Sequence, residues 1–237
     1  MKRIILMVLR LFWIAPFWFI KMCRMANSDR YSQEEKYEIL RTISTRASKA
    51  GRVTIRAYGT ENIPRDQGFI YFPNHQGMYD SLAFLATSPV PLAAVMKKEL
   101  SNVILVKQAM ALMGCLALDR SDVRAGVRVI HEMADRVKAG KVFLIFPEGT
   151  RSRQGNQTGE FKAGSFKAAL YAKCPIVSVA LIDCFKPFDE GHCKPVTVQV
   201  HYLEPIPYEA YKDMKTPEIA AMVKEIIDRE IARHLGE

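Results

Sequence analysis

Beyond residue 52, short apolar runs alternate with stretches of helical periodicity, and this limits the fold more than any other feature of the chain. The runs cover residues 53–58, 69–72, 92–95, 115–118, 142–146, 176–182 and 196–202. Each is too short for a helix and is mostly apolar on successive residues, as strands covered on both faces are. Helical candidates fall between them, near 81–87, 101–113, 122–139 and 165–172. In a last helical segment, 217–235, Ile219, Met222, Val223, Ile226, Ile227 and Ile231 recur at helical spacing. The pattern predicts an α/β fold, a largely parallel sheet flanked by helices. A length of 237 residues suits one such domain with an N-terminal appendage.

The appendage, residues 1–50, is expected to be a two-helix membrane-associating element ahead of a catalytic unit at 51–237. Residues 4–20 are apolar except for Arg10, and Lys2, Arg3, Lys21 and Arg24 flank them. Seventeen helical residues reach roughly 25 Å, short of a hydrocarbon core of about 30 Å. Arg10 would cost several kcal/mol at mid-bilayer unless it reached water. Phe12, Trp13, Phe17, Trp18 and Phe19 favour the interface. A helix lying in one leaflet, or dipping obliquely into it, is therefore expected, with a spanning helix as the alternative. Lys21, Cys23 and Arg24 stand where a signal peptide would carry a small-residue cleavage site. Ser32-Gln33-Glu34-Glu35 reads as a capping box opening a second helix that Gly51 ends.

Charge follows the same division. Residues 1–60 hold twelve Lys/Arg and four Asp/Glu, which places +8 of the net +9 there. Such a segment meets a polyanion, either nucleic acid or anionic lipid. An oily helix beside the basic one, with no recognised DNA-binding motif, favours an anionic membrane surface and excludes nucleic acid as partner. The five cysteines form no CxxC pair and point to a reducing environment. Cys184, His192 and Cys193 fit no zinc spacing, so no metal is expected.

Two polar segments directly follow apolar runs. In Phe72-Pro73-Asn74-His75-Gln76-Gly77-Met78-Tyr79-Asp80, a loop His and an Asp at a helix start can fold back on each other. The carboxylate would take one imidazole N–H, fix the tautomer and leave the other nitrogen as a base. Such a base suits a hydroxyl acceptor facing an already activated acyl group; no GxSxG elbow is present. In Phe146-Pro147-Glu148-Gly149-Thr150-Arg151-Ser152, Arg151 offers a donor fork for phosphate, Gly149 lets backbone amides approach an anion, and Thr150 adds a hydroxyl. Glu148 could anchor Arg151 or a second ligand group. Arg120, in Leu118-Asp119-Arg120, is a further candidate for the same anion site. All three segments fall where open α/β sheets bind ligands, at the C-terminal ends of strands. His131, His201 and His234 read as surface or packing residues.

Taken together, these blocks resemble the glycerolipid acyltransferase family, specifically the bacterial 1-acyl-sn-glycerol-3-phosphate acyltransferases. Asn74, His75 and Asp80 match its Asn-His-four residues-Asp block, and Phe146 to Ser152 match its Phe-Pro-Glu-Gly-Thr-Arg-Ser block without change. Gly114 to Arg120, Lys98-Glu99-Leu100, Gly59 to Pro64 and Phe161-Lys162-Ala163-Gly164 are similar to further family segments. The resemblance implies His75 as general base oriented by Asp80, with Glu148, Gly149, Thr150, Arg151, Arg120 and Lys162 on the acceptor. It implies acyl-CoA or acyl-carrier protein as donor and a lysophospholipid, foremost lysophosphatidic acid, as acceptor. No cofactor or metal is implied, and the expected location is the cytoplasmic face of the bacterial inner membrane. Another lyso-lipid acceptor is the close alternative; a non-enzymatic membrane scaffold is the distant one. Gly77 stands where the family often has Ser, and Ser178 where a second Pro is common.

Overall fold

A computed structural model of the chain describes residues 2–119 and 122–236. Helices α1 (Lys2–Leu11), α2 (Ala15–Ala26) and α3 (Gln33–Ala50) come first. Then follow β1 (Val53–Tyr58), β2 (Ile70–Pro73), α4 (Asp80–Thr87), β3 (Ala93–Lys97), α5 (Val106–Met113) and β4 (Leu116–Leu118). The remainder is α6 (Val123–Lys138), β5 (Phe143–Leu144), α7 (Lys167–Ala172), β6 (Ile176–Ile182), α8 (Lys186–Asp189), β7 (Val196–Tyr202) and α9 (Thr216–Leu235). Every apolar run read as a strand contributes one, within a residue or two at most ends.

The seven strands form one sheet in the order β1-β7-β6-β2-β5-β3-β4. All neighbours run parallel except β6 and β7. Alternation along the strands builds a core on each face. Phe69, Tyr71, Val177, Val179 and Leu181 join residues of α3, α4 and α5 on one side. Ile70, Phe72, Ile176, Ala180 and Ile182 join α6, α7 and α9 on the other. Coverage on both faces explains why β6 is apolar at nearly every position and fully buried.

Helices begin later than periodicity suggested in two places. The segment near 101–113 starts as a 3-10 turn, Lys98–Asn102. Leu105 then takes φ 70°, outside the helical region, and Gln108 Oε1 accepts its N–H at 2.8 Å to open α5. A 3-10 turn, Ala163–Phe166, likewise precedes α7.

The N-terminal apolar segment is not one helix. It breaks after Leu11, and α1 and α2 meet at 88°. Pro16 sits in the first turn of α2; in a continuous helix its ring would clash with the carbonyl four residues back and it could donate no N–H. Among the described residues no single helix is long and apolar enough to cross a membrane, though this bent pair passes that test together. Helix α3 follows expectation at its start, with Ser32 Oγ accepting the Glu35 N–H and Glu35 accepting the Ser32 N–H. At its end Gly51 has φ −79°, so left-handed capping is not its role. A Cβ there would lie 2.2 Å from Met7 Cε, so glycine allows α1 to close on α3.

Arg3, one of the basic residues that flank the apolar segment, is 1% exposed. It donates to the carbonyls of Gly51 at 2.6 Å, Pro187 at 2.8 Å, Lys194 at 2.9 Å and His192 at 3.3 Å. A buried guanidinium is tolerable because carbonyl oxygens surround it, one of them at the electronegative end of α3. Arg10 reaches the Ala50 carbonyl at 3.0 Å, which draws it off the apolar face.

Candidate active site

Strand adjacency creates the site. Neither β2 and β5 nor β2 and β6 are consecutive, yet both pairs are parallel neighbours. The loops leaving the ends of β2, β5 and β6 therefore stand side by side, as expected for a ligand crevice in an open α/β sheet.

The β2 loop turns tightly around a carboxylate. Asp80, the first residue of α4, is fully buried and accepts the Gln76 N–H at 2.7 Å and the Gly77 N–H at 3.1 Å. His75 Nδ1 lies 2.7 Å from the same Asp80 Oδ2. Since the carboxylate can only accept, Nδ1 carries the proton and Nε2 keeps its lone pair in the neutral ring. The His75 side chain is 21% exposed, so the base is reachable while its partner is not. Its ring stacks on Phe146 at 4.0 Å and 23°, which sets the plane of the imidazole. Burial pushes the Asp80 pKa up; its hydrogen bond and charge interaction with His75 and the two backbone amides act in the opposite direction.

The β5 loop is locked to this turn. Glu148 is 3% exposed and uses both oxygens on main-chain amides, that of His75 at 2.7 Å and that of Gly159 at 2.9 Å. Ser152 returns the contact by donating its N–H to the His75 carbonyl at 2.9 Å. Glu148, expected on the acceptor, thus holds two loops together, and burial pushes its pKa up. Glu148→Gln can accept at only one of the two positions. The orphaned amide should cost about 1–3 kcal/mol, seen as a melting temperature several degrees lower by calorimetry.

Gly149 has φ +69°, a left-handed conformation suited to glycine, and a Cβ there would lie 3.0 Å from Lys162 Nζ. Lys162, exposed at its own loop, therefore lies across the Gly149-Thr150-Arg151 turn. Thr150 is exposed and Arg151 half-buried. His75, Asp80, Glu148, Gly149, Thr150, Arg151 and Lys162 are thus brought into one region. Arg120 lies outside the described residues; Asp119, the residue after β4, meets Lys98 at 3.4 Å.

A buried polar network went unread in the sequence. Asn74 replaces strand pairing beyond β2 by bonding both the carbonyl and the amide of Leu181. Gln76, 2% exposed, accepts the Cys184 N–H and donates to Asn156 Oδ1 and the Gly155 carbonyl. Asn156 in turn bonds Asp183 through side chain and backbone. The polar, glycine-containing 154–159 loop is therefore fastened to the His75–Asp80 turn. Gly77 also has a local reason: a Cβ there would meet the Phe185 Cα at 3.1 Å. Tyr79, next to Asp80, donates to Ser48 Oγ at 2.6 Å and so ties the turn to α3. Partners this distant in sequence leave no short-range signal; only a polar cluster at a strand end could have hinted at them.

Residues 54–182 match the family model described as Acyltransferase. Similar curated proteins include the 1-acyl-sn-glycerol-3-phosphate acyltransferase of Escherichia coli K12, 32% identical over 164 residues, 69% of this chain and 66% of that protein. Another, from Borreliella burgdorferi, is 33% identical over 129 residues, 54% of this chain and 51% of that protein. The chain spans about half to two thirds of the length of these relatives. The crystal structure of a 1-acyl-sn-glycerophosphate (LPA) acyltransferase from Thermotoga maritima superposes with a TM-score of 0.82 at 23% identity. That match covers 100% of this chain and 98% of the other, and shows the same fold.

Proposed function

This chain belongs to the acyltransferase family, and on that premise we propose that it moves a fatty acyl group from a thioester onto the sn-2 hydroxyl of lysophosphatidic acid, forming phosphatidic acid. The observation that carries this reading is the His75–Asp80 pair: one ring nitrogen is held by a buried carboxylate, the other has no hydrogen-bond partner among the described residues, and the loop is fastened to the turn that carries Arg151.

In the proposed reaction, His75 Nε2 takes the proton of the acceptor hydroxyl as its oxygen attacks the thioester carbonyl. Asp80 stabilises the resulting imidazolium and holds its orientation. The tetrahedral intermediate collapses with loss of the thiolate, which takes the proton back from His75, so the charge balance closes within this pair. Arg151 and Lys162, with the Gly149 and Thr150 backbone and the Thr150 hydroxyl, would hold the acceptor phosphate, joined by Arg120. Glu148 acts one step back, by positioning His75. Acyl-CoA and acyl-carrier protein both supply the required thioester.

Arg151→Lys should raise the acceptor KM with little change in kcat, because an ammonium cannot reproduce a bidentate fork. Saturation curves with lysophosphatidic acid read this directly; an unchanged KM would move phosphate recognition elsewhere. The activity itself is tested with the purified full chain, labelled lysophosphatidic acid, and each donor in turn. Equal turnover of a lyso-lipid lacking a phosphomonoester would count against the acceptor named here.

We further propose that residues 1–50 seat the catalytic unit of residues 51–237 on an anionic membrane surface, the cytoplasmic face of the bacterial inner membrane, where both donors are available. Support comes from side chains that remain exposed on α1 and α2: Leu9 at 65%, Phe12 at 68%, Trp13 at 62% and Phe17 at 71%. Ile104, just ahead of α5, is 72% exposed, and α5 packs on α2. Lys21 and Arg24 supply the basic border. Phe17→Ser should weaken partition into phosphatidylglycerol-containing vesicles roughly 10-fold or more, from the loss of about 1.5–3 kcal/mol of apolar burial. Co-sedimentation measures it, and equal binding would refute that seating.

A further inference from the structure

The acyl-transfer reading leaves unused a second group of polar residues, His201, Glu230 and His234. Strand β7 directs Val198, Val200 and Tyr202 into one core, so Gln199 and His201 project from the opposite face. There α9 presents Glu230 and His234, four residues apart and hence on one side of the helix. The three side chains are 3%, 15% and 28% exposed, in chain order. One oxygen, Glu230 Oε1, lies 3.0 Å from His201 Nδ1 and 2.9 Å from His234 Nε2. Each residue offers one ligand atom, and the three atoms all lie within 4.8 Å of one another.

The outer contacts are those that a metal-binding imidazole requires. Gln199 Oε1 stands 3.1 Å from His201 Nε2, placed to accept that N–H and leave Nδ1 bare. Tyr58 stacks on the His201 ring at 4.6 Å and 25°, fixing its plane. A neutral ring has one N–H, yet both its nitrogens face oxygen acceptors, Gln199 Oε1 and Glu230 Oε1. A cation between Nδ1 and Glu230 resolves that conflict. Turning the Gln199 amide would resolve it without one, and the titration below separates the two.

We infer that His201, Glu230 and His234 bind a divalent transition-metal ion of the zinc type, tying the last turn of α9 to β7. Two imidazoles and a carboxylate match zinc's nitrogen and oxygen preference and lack the all-oxygen shell of magnesium or calcium. Ligands about 2.0–2.1 Å from a tetrahedral ion lie about 3.4 Å apart. The nitrogens therefore need to part from Glu230 by less than about half an ångström. The cluster opens on a cleft of about 260 Å³ that leaves room for water as a fourth ligand. Arg233 opposes the cation from 3.7 Å beyond Glu230 Oε2, but its side chain is 73% exposed and reaches solvent.

The test uses untagged, full-length protein titrated with Zn²⁺ alone by calorimetry and with Co²⁺ by absorption. One equivalent should bind, with visible cobalt bands of a nitrogen and oxygen shell and a raised melting temperature. Gln199→Ala, which removes only the outer contact, should weaken binding roughly 10–100-fold. His234→Ala and Glu230→Gln should each abolish stoichiometric binding while circular dichroism stays unchanged; two variants guard against one that fails to fold. Absence of a bound equivalent overturns the site. So does binding that survives both variants, or a cobalt–thiolate charge-transfer band, which would assign the ion to Cys23, Cys115 or Cys193.

Discussion

His75→Ala is expected to lower kcat by about 10²–10⁴-fold while leaving the acceptor KM and the melting temperature nearly unchanged. The imidazole is partly exposed and, among the described residues, its one side-chain hydrogen bond is to Asp80, so removing it opens little of the core. What holds the turn in place is main chain: the His75 amide on Glu148 and the His75 carbonyl on Ser152, both of which alanine retains. Binding of lysophosphatidic acid through the Arg151 turn should likewise persist. A continuous assay of thiol release, run at saturating acceptor, measures the effect. Added imidazole should restore part of the rate in this variant and none in the wild type. Retention of full turnover would remove His75 as the general base from the proposed mechanism.

Asp80→Asn should lower kcat by a similar factor for a different reason. Three donors, from His75 Nδ1 and the Gln76 and Gly77 amides, converge on Oδ2, and the Gly77 amide also lies 3.1 Å from Oδ1. An asparagine that keeps its oxygen at the Oδ2 position turns its NH₂ toward the Gly77 amide and lacks the negative charge that stabilises the imidazolium. Turned the other way, its NH₂ donates to His75 Nδ1, and the ring proton moves to the nitrogen that should act as base. Either orientation disables the pair. Folding should survive, because burial pushes the Asp80 pKa up. A carboxyl whose folded pKa is raised becomes a cost as pH climbs from its unfolded value through its folded one, and asparagine does not ionise. The stability of the variant relative to wild type should therefore improve as pH rises across that window. A kcat within a factor of two of wild type would leave His75 without an orienting partner.

The seven strands were legible in the sequence as short, mostly apolar runs: double coverage keeps β2 and β6 buried throughout, whereas the edge strand β1 carries Thr54 and Arg56 and is largely exposed. The pairing of His75 with Asp80 was legible too, since five residues and a glycine leave the loop few ways to turn. An environment set by distant chain was not. Arg3 reads in sequence only as a flanking cation, but α3, α8 and the segment before β7 surround it with carbonyls. Glu148 looks like a ligand-binding acid until the His75 and Gly159 amides occupy it. The bend after Leu11 is a different kind of miss: Pro16 signalled it locally, and the apolar pattern outweighed it.

Periodicity and composition were sufficient to decide which segments are strands, which are helices, and which residue types end each strand. Burial and backbone geometry are local requirements and are written into neighbouring residues. Sheet order was not decided there. That β5 inserts between β2 and β3 while β6 takes the other side of β2 is settled by packing of whole helices against whole strands. Only that order brings an imidazole, a carboxylate and a cationic turn, up to 87 positions apart between His75 and Lys162, to one crevice.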